Sequence, residues 1–67
     1  MAKLSFGMKL KRLREKRGLT QNALAKKAGL HLTTIGKMEA GMRGNPKSDT
    51  LRNLAKALRV QIAKLLD

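Results

Sequence analysis

Apolar residues recur along this chain at spacings of three and four, and no stretch shows the strict alternation of a strand, so the expected fold class is all-α. Phe6, Leu10 and Leu13 fall on one face of a first helix over about residues 6 to 17, with Ser5 as its capping hydroxyl. Lys16 and Arg17 followed by Gly18 make a stop signal: cations in the last turn, then a residue that tolerates left-handed backbone. Thr20 caps a second helix over about residues 21 to 28, whose inner face carries Leu24 and Ala28 and which ends at Gly29. A third helix starts at His31 or Leu32 and runs to about residue 40, with Ile35 and Met38 inward and Gly41 as its stop. Gly44 and Asn45-Pro46 mark a loop between Met42 and Lys47. Ser48 or Asp49 then caps a fourth helix carrying Leu51, Leu54, Ala55 and Leu58 on one stripe. Val60 leads into a short fifth helix with Ile62, Leu65 and Leu66. The expectation is one domain, residues 1–67, folded as a compact five-helix bundle.

The second and third helices are short, amphipathic and joined by a tight turn at Gly29, which makes them a helix-turn-helix. That arrangement sets one helix into the major groove of DNA while the other braces it. Charge supports the same partner. Sixteen Lys and Arg oppose only four acidic residues, for a net charge of +12, and a polyanion would relieve the self-repulsion. Phe6 is the sole aromatic, which disfavours single-stranded nucleic acid, where bases stack on aromatic platforms, and membrane binding, where bulky rings anchor the interface.

At 67 residues the core is thin, because chains of this size bury only about 60% of their unfolded surface. With no cysteine, neither a disulfide nor a thiolate zinc site can reinforce it. No apolar run reaches the ~20 residues of a membrane span, and no signal-peptide block opens the chain, so a cytoplasmic protein is expected, nucleoid-associated if natural. The inventory also excludes an enzyme. The chain has no Cys nucleophile, no glycine-rich phosphate loop, and its carboxylates Glu15, Glu39, Asp49 and Asp67 are scattered over separate segments. His31, the only histidine, lacks a neighbour of metal-ligand type. No cofactor, metal or small-molecule substrate is expected.

Thr20 and Gln21 open the second helix, where unpaired N–H groups and partial positive charge suit a phosphate oxygen. With Ile35 and Met38 buried, Thr33 and Lys37 share the opposite face one turn apart, and Thr34 lies near its edge as a phosphate contact. Thr33 offers a hydroxyl and a methyl, and Lys37 can reach guanine O6 and N7. His31 is placed to cap the third helix or to touch DNA. Arg43, Asn45, Lys47 and Ser48, around the loop and the start of the fourth helix, are expected on phosphates, setting register without reading sequence. Gly36 costs helix stability, which is reasonable where the DNA backbone or another helix comes close. Pairing Arg14 with Glu39 would neutralise a carboxylate that otherwise repels DNA.

These residues bring the chain close to a known family. It resembles the lambda-repressor-like, or Cro-repressor-type, helix-turn-helix domains over about residues 6 to 66. The resemblance rests on Leu10-Lys11-Arg12-Leu13-Arg14, Gly18-Leu19-Thr20-Gln21, Leu24-Ala25, Ala28-Gly29-Leu30, Thr34-Ile35, Glu39-Ala40-Gly41, Asn45-Pro46, Asp49-Thr50-Leu51 and Leu54-Ala55-Lys56-Ala57-Leu58, in family order. It implies a five-helix DNA-binding domain in which Gln21 holds a phosphate. It also implies base-facing positions at His31, Leu32, Thr33 and Lys37, and an internal Arg14–Glu39 ion pair. Leu32 departs from the polar residue common at the head of the reading helix, since it can touch a thymine methyl but reads no hydrogen-bond pattern. The dense Leu, Lys and Ala usage looks idealised, as in an engineered domain or an excised fragment.

The expected function is sequence-specific binding of double-stranded DNA, as a transcriptional regulator or an engineered binding module. The protein is expected to be a monomer in solution or a weak homodimer on DNA. Two other readings make distinct demands. An antitoxin-type or scaffold domain with a protein partner requires an exposed apolar patch near Ile62 and Leu65. A nonspecific basic binder requires equal affinity for scrambled duplexes, single strands or anionic vesicles.

Overall fold

The computed structural model describes residues 4–42 and 46–66. Within them the chain forms α1 (Phe6–Lys16), α2 (Gln21–Ala28), α3 (Leu32–Glu39), α4 (Ser48–Leu58) and the single turn α5 (Ala63–Leu66). Leu10, Leu24, Ile35, Leu54, Leu58 and Leu65 are fully buried and draw one side chain or more from every helix into a single core. Phe6, Leu13, Leu19, Leu30, Leu51, Val60 and Ile62 pack around it as a half-buried ring. The helical positions among these follow the three-and-four spacing that made the helices amphipathic, and Leu19, Leu30 and Val60 add apolar side chains from the connections.

Local chemistry sets the helix ends. Ser5 accepts a hydrogen bond on its hydroxyl from the Met8 N–H at 3.3 Å, and Thr20 accepts one from the Ala23 N–H at 3.0 Å. α1 ends one residue earlier than the pattern suggests, because Arg17 takes the cap position with its N–H directed at the carbonyls of the last turn. The start of α4 is a second difference. Neither Ser48 nor Asp49 caps it: Lys47 occupies the extended cap position without a side-chain bond, and both expected residues lie inside the first turn. Asp49 there still complements the positive helix end. His31 likewise holds the cap position of α3 without a side-chain capping bond.

Two features fix α3 relative to the rest. Gly7 is buried in the first turn of α1, and a β-carbon there would collide with the carbonyl oxygens of Met38 and Glu39. α1 and the end of α3 therefore touch backbone to backbone. On its other side α3 packs against α2 through the turn at Gly29, which adopts φ 69° and ψ 33°. The two residues expected in the exposed apolar patch of a scaffold domain, Ile62 and Leu65, are drawn toward the core, while Leu66 beside them is 61% exposed. Leu65 is 1% exposed and Ile62 packs against the core, because α5 folds back onto α1.

Candidate nucleic-acid interface

The outer face of α3 follows from which of its residues the core consumes. Ile35 and Met38 point inward, which leaves His31, Leu32, Thr33 and Lys37 exposed and Thr34 and Gly36 half-buried at the margins. Leu32 is 48% exposed, an apolar side chain at the leading end of an otherwise polar face. The N-terminus of α2 lies beside the middle of this helix. Among the described residues outside the helix's own backbone, the Gln21 side-chain oxygen is the one neighbour within 4 Å of the position where a β-carbon on Gly36 would stand, at 3.9 Å.

A hydrogen-bonded cluster locks that juxtaposition. Arg14 Nε donates to Glu39 Oε2 at 2.6 Å and Nη2 to Oε1 at 3.1 Å, a two-pronged ion pair between α1 and the last residue of α3. The remaining guanidinium nitrogen, Nη1, donates to the Leu19 carbonyl at 2.7 Å and ties in the segment leading to α2. Gln21 Nε2 then donates to Glu39 Oε1 at 3.0 Å. The two ion-pair side chains are only 10% and 4% exposed. Burial pushes the Glu39 carboxyl up, but the hydrogen bonds from Arg14 and Gln21, with the charges of Arg14 and Lys11, outweigh it and hold the carboxyl below its ordinary range. The hydrogen bond to Glu39 likewise raises Arg14, against a smaller opposing effect of burial. The sole carboxylate of α3 is thus neutralised from within and leaves the outer face cationic.

The remaining expected contacts are Thr20, Lys47, Ser48, Arg43 and Asn45. Thr20 is exposed, its hydroxyl oxygen engaged by the Ala23 N–H but its proton available to an acceptor. Lys47 and Ser48 are exposed at the start of α4. Arg43 and Asn45 lie outside the described residues. What residue patterns alone missed is the bond from Gln21 to Glu39, because a link across 18 positions depends on side-chain directions that spacing does not carry. Among the described residues no group of His, Asp and Glu could hold a metal ion, and no helix is long and apolar enough to cross a membrane.

Comparison with known proteins places this geometry in context. A family model described as helix-turn-helix matches residues 10–65. The chain is 44% identical over 62 residues to the HTH-type transcriptional repressor RghR of Bacillus subtilis (strain 168), covering 92% of this chain. It spans only about half the length of that relative, 46%. Among solved structures it superposes on the restriction-modification controller protein C.AhdI from Aeromonas hydrophila with TM-score 0.85 and 37% identity, over 90% of this chain and 89% of that one. It also superposes on SinR from Bacillus subtilis, a master regulator for biofilm formation solved in complex with DNA, with TM-score 0.89 and 29% identity. That match covers 92% of this chain and 98% of the SinR chain.

Proposed function

The chain belongs to the helix-turn-helix family, in its lambda-repressor-like branch, and we propose that it binds double-stranded DNA sequence-specifically, as the DNA-reading module of a transcriptional regulator. The observation that carries this reading is the outer face of α3, where Leu32, Thr33 and Lys37 are exposed side by side while Glu39 is withdrawn into an ion pair. In the major groove, Thr33 and Lys37 read base edges, Leu32 meets a thymine methyl, and His31 touches the bases or backbone at the leading end. Thr20, Gln21, Thr34, Lys47 and Ser48 take phosphates, joined by Arg43 and Asn45. The relatives' names support the partner: RghR is a transcriptional repressor and SinR was solved on DNA.

Two-fold symmetric half-sites about one helical turn apart suit a weak homodimer that forms on the duplex. The module performs no chemistry of its own in this reading. Affinity arises from release of counterions as Lys and Arg neutralise phosphates, and discrimination from the few side chains of α3. Selection of bound duplexes from a random pool at physiological salt is the decisive experiment. The expected result is enrichment of one short motif, in one copy or as an inverted pair. A pool that emerges unenriched overturns the proposal.

A further inference from the structure

The C-terminal ends of α1, α2 and α4 carry a second cationic feature, built from none of the residues assigned to DNA. Three segments of the chain reverse through glycine in the left-handed region, Gly18 at φ 71°, Gly29 at φ 69° and Gly41 at φ 73°. α4 instead ends on Arg59, at φ 58° and ψ 44°. A β-carbon is disfavoured there, so an arginine held in that conformation points to something the side chain does. Its carbonyl oxygen accepts a 2.9 Å hydrogen bond from Arg17 Nη2, which holds the Arg17 guanidinium against the Arg59 backbone and makes the two residues a neighbouring pair. That pair lies where two depressions meet. The larger, about 470 Å³, has Lys16, Arg17, Arg59 and Lys64 at its rim and Leu13 and Val60 in its wall. The smaller shares both arginines and adds Lys27. Among the described residues no carboxylate lines either one. Helix-dipole compensation accounts for Lys16 and Lys27, which sit in last turns. It does not account for an arginine where the chain elsewhere uses glycine.

We propose that this cleft docks an acidic segment of a protein partner, with carboxylates on the guanidinium groups of Arg17 and Arg59 that line it and an apolar side chain against Leu13 and Val60. The chemistry selects that occupant among anions. A nucleotide would need an aromatic face on which to stack its base, and the lining, whose single amide is the exposed Gln61, contains no aromatic residue. A second duplex presents a convex, uniformly charged backbone that gains nothing from the two aliphatic walls. Planar guanidinium forks match carboxylates in pairs, and an aliphatic floor adds burial that a phosphate backbone cannot use. None of the lining residues belongs to α3 or to the first turn of α2, so the cleft stays open while α3 is engaged.

The test uses a short fluorescein-labelled peptide of Asp and Glu residues with one central Leu, titrated with the intact chain and followed by anisotropy. Arg59→Gly, which suits the backbone at that position, is expected to weaken binding about tenfold, a loss of about 1.4 kcal/mol, without lowering the melting temperature. Arg59→Asn, also compatible with left-handed backbone, should behave alike, whereas Lys37→Ala should leave peptide affinity unaltered. A peptide with Ser in place of the Leu should bind several-fold more weakly. Equal affinity of the parent chain and Arg59→Gly overturns the proposal, as does a larger loss in Lys37→Ala, because the peptide then follows overall charge or the face of α3. Bridging of two labelled duplexes by the parent chain but not by Arg59→Gly also overturns it and assigns the cleft to DNA.

Discussion

Glu39 Oε1 lies 3.0 Å from Nε2 of Gln21, so the first residue of α2 is bonded to the last residue of α3. The same oxygen accepts from Arg14 Nη2, and one carboxylate therefore fastens three elements at the base of the reading face. If Gln21 takes a phosphate as proposed, its bond to Glu39 holds it in a fixed place relative to α3. Orientation of the phosphate grip and placement of the reading helix are thereby one structural variable.

Removing Glu39 should accordingly damage the fold before it damages recognition. Glu39→Ala leaves the Arg14 guanidinium buried without its counter-charge, and breaking a buried pair from one side costs about 3 kcal/mol or more. In a domain this small that is a large share of total stability. Urea denaturation at neutral pH should show the midpoint fall sharply. Arg14→Met combined with Glu39→Leu should recover much of the loss, since both charges then leave together. A midpoint unchanged in Glu39→Ala would mean the cluster contributes nothing to stability.

The same carboxylate predicts how stability depends on pH. Its folded-state pKa is depressed, so below the range where unfolded Glu titrates, near about 4.3, the unfolded chain binds the proton more readily. The stabilisation is fully present above that range and disappears as pH falls through the lower folded value. Melting temperature should therefore be level from pH 7 to about 5 and decline below about 4.3. Glu39→Gln should flatten that acid limb while lowering the plateau. An acid limb of unaltered depth in Glu39→Gln would assign it to other groups.

The elements themselves were legible because each is encoded locally. Leu24 and Ala28 on one stripe, Thr20 before it and Gly29 after it determine α2 without reference to anything distant, and its bounds emerge at residues 21 and 28. Capping by side-chain chemistry was a poorer guide to α4, where the extended residue before the helix is Lys47 and the better hydroxyl, Ser48, falls just inside. Long-range geometry was hardest to read. Nothing in the spacing of Gly7 distinguishes it from a weak helix position, yet it admits the α3 backbone against α1. Arg59 looks like an ordinary surface cation until its backbone angle is known.

Two helical glycines should respond in opposite directions. Gly7→Ala drives a β-carbon into the carbonyls of Met38 and Glu39, the latter at 2.8 Å, and backbone must yield. A loss of about 2 kcal/mol is expected by analogy with overpacked cores. At Gly36 a methyl group meets only the flexible Gln21 side chain, so Gly36→Ala should gain up to about 1 kcal/mol from helix propensity. If the glycine is retained because a DNA strand held by Gln21 passes over it, the more stable variant will also bind duplex several-fold more weakly. Thermal melts and duplex titrations on the same samples separate the effects, and unaltered affinity in Gly36→Ala removes DNA approach as the reason for that glycine.

Lys37 and Lys47 allow base reading and phosphate holding to be told apart by the form of the binding defect. Lys37 stands one turn from Thr33 on the exposed face of α3, and Lys47 precedes the first turn of α4. Lys37→Ala should cost about 1–3 kcal/mol on the selected motif but little on mismatched duplexes, which relaxes preference at one base pair. Lys47→Ala should weaken every duplex alike. It should also reduce the slope of log K against log salt by about 1, from a value near about −4.5 for about five neutralised phosphates. Because the two substitutions remove the same charge, any difference between them reports position and not overall electrostatics. Should Lys37→Ala lower affinity for all sequences equally, with a matching fall in salt slope, the lysine grips the backbone and the reading of that base pair passes to Thr33 and Leu32.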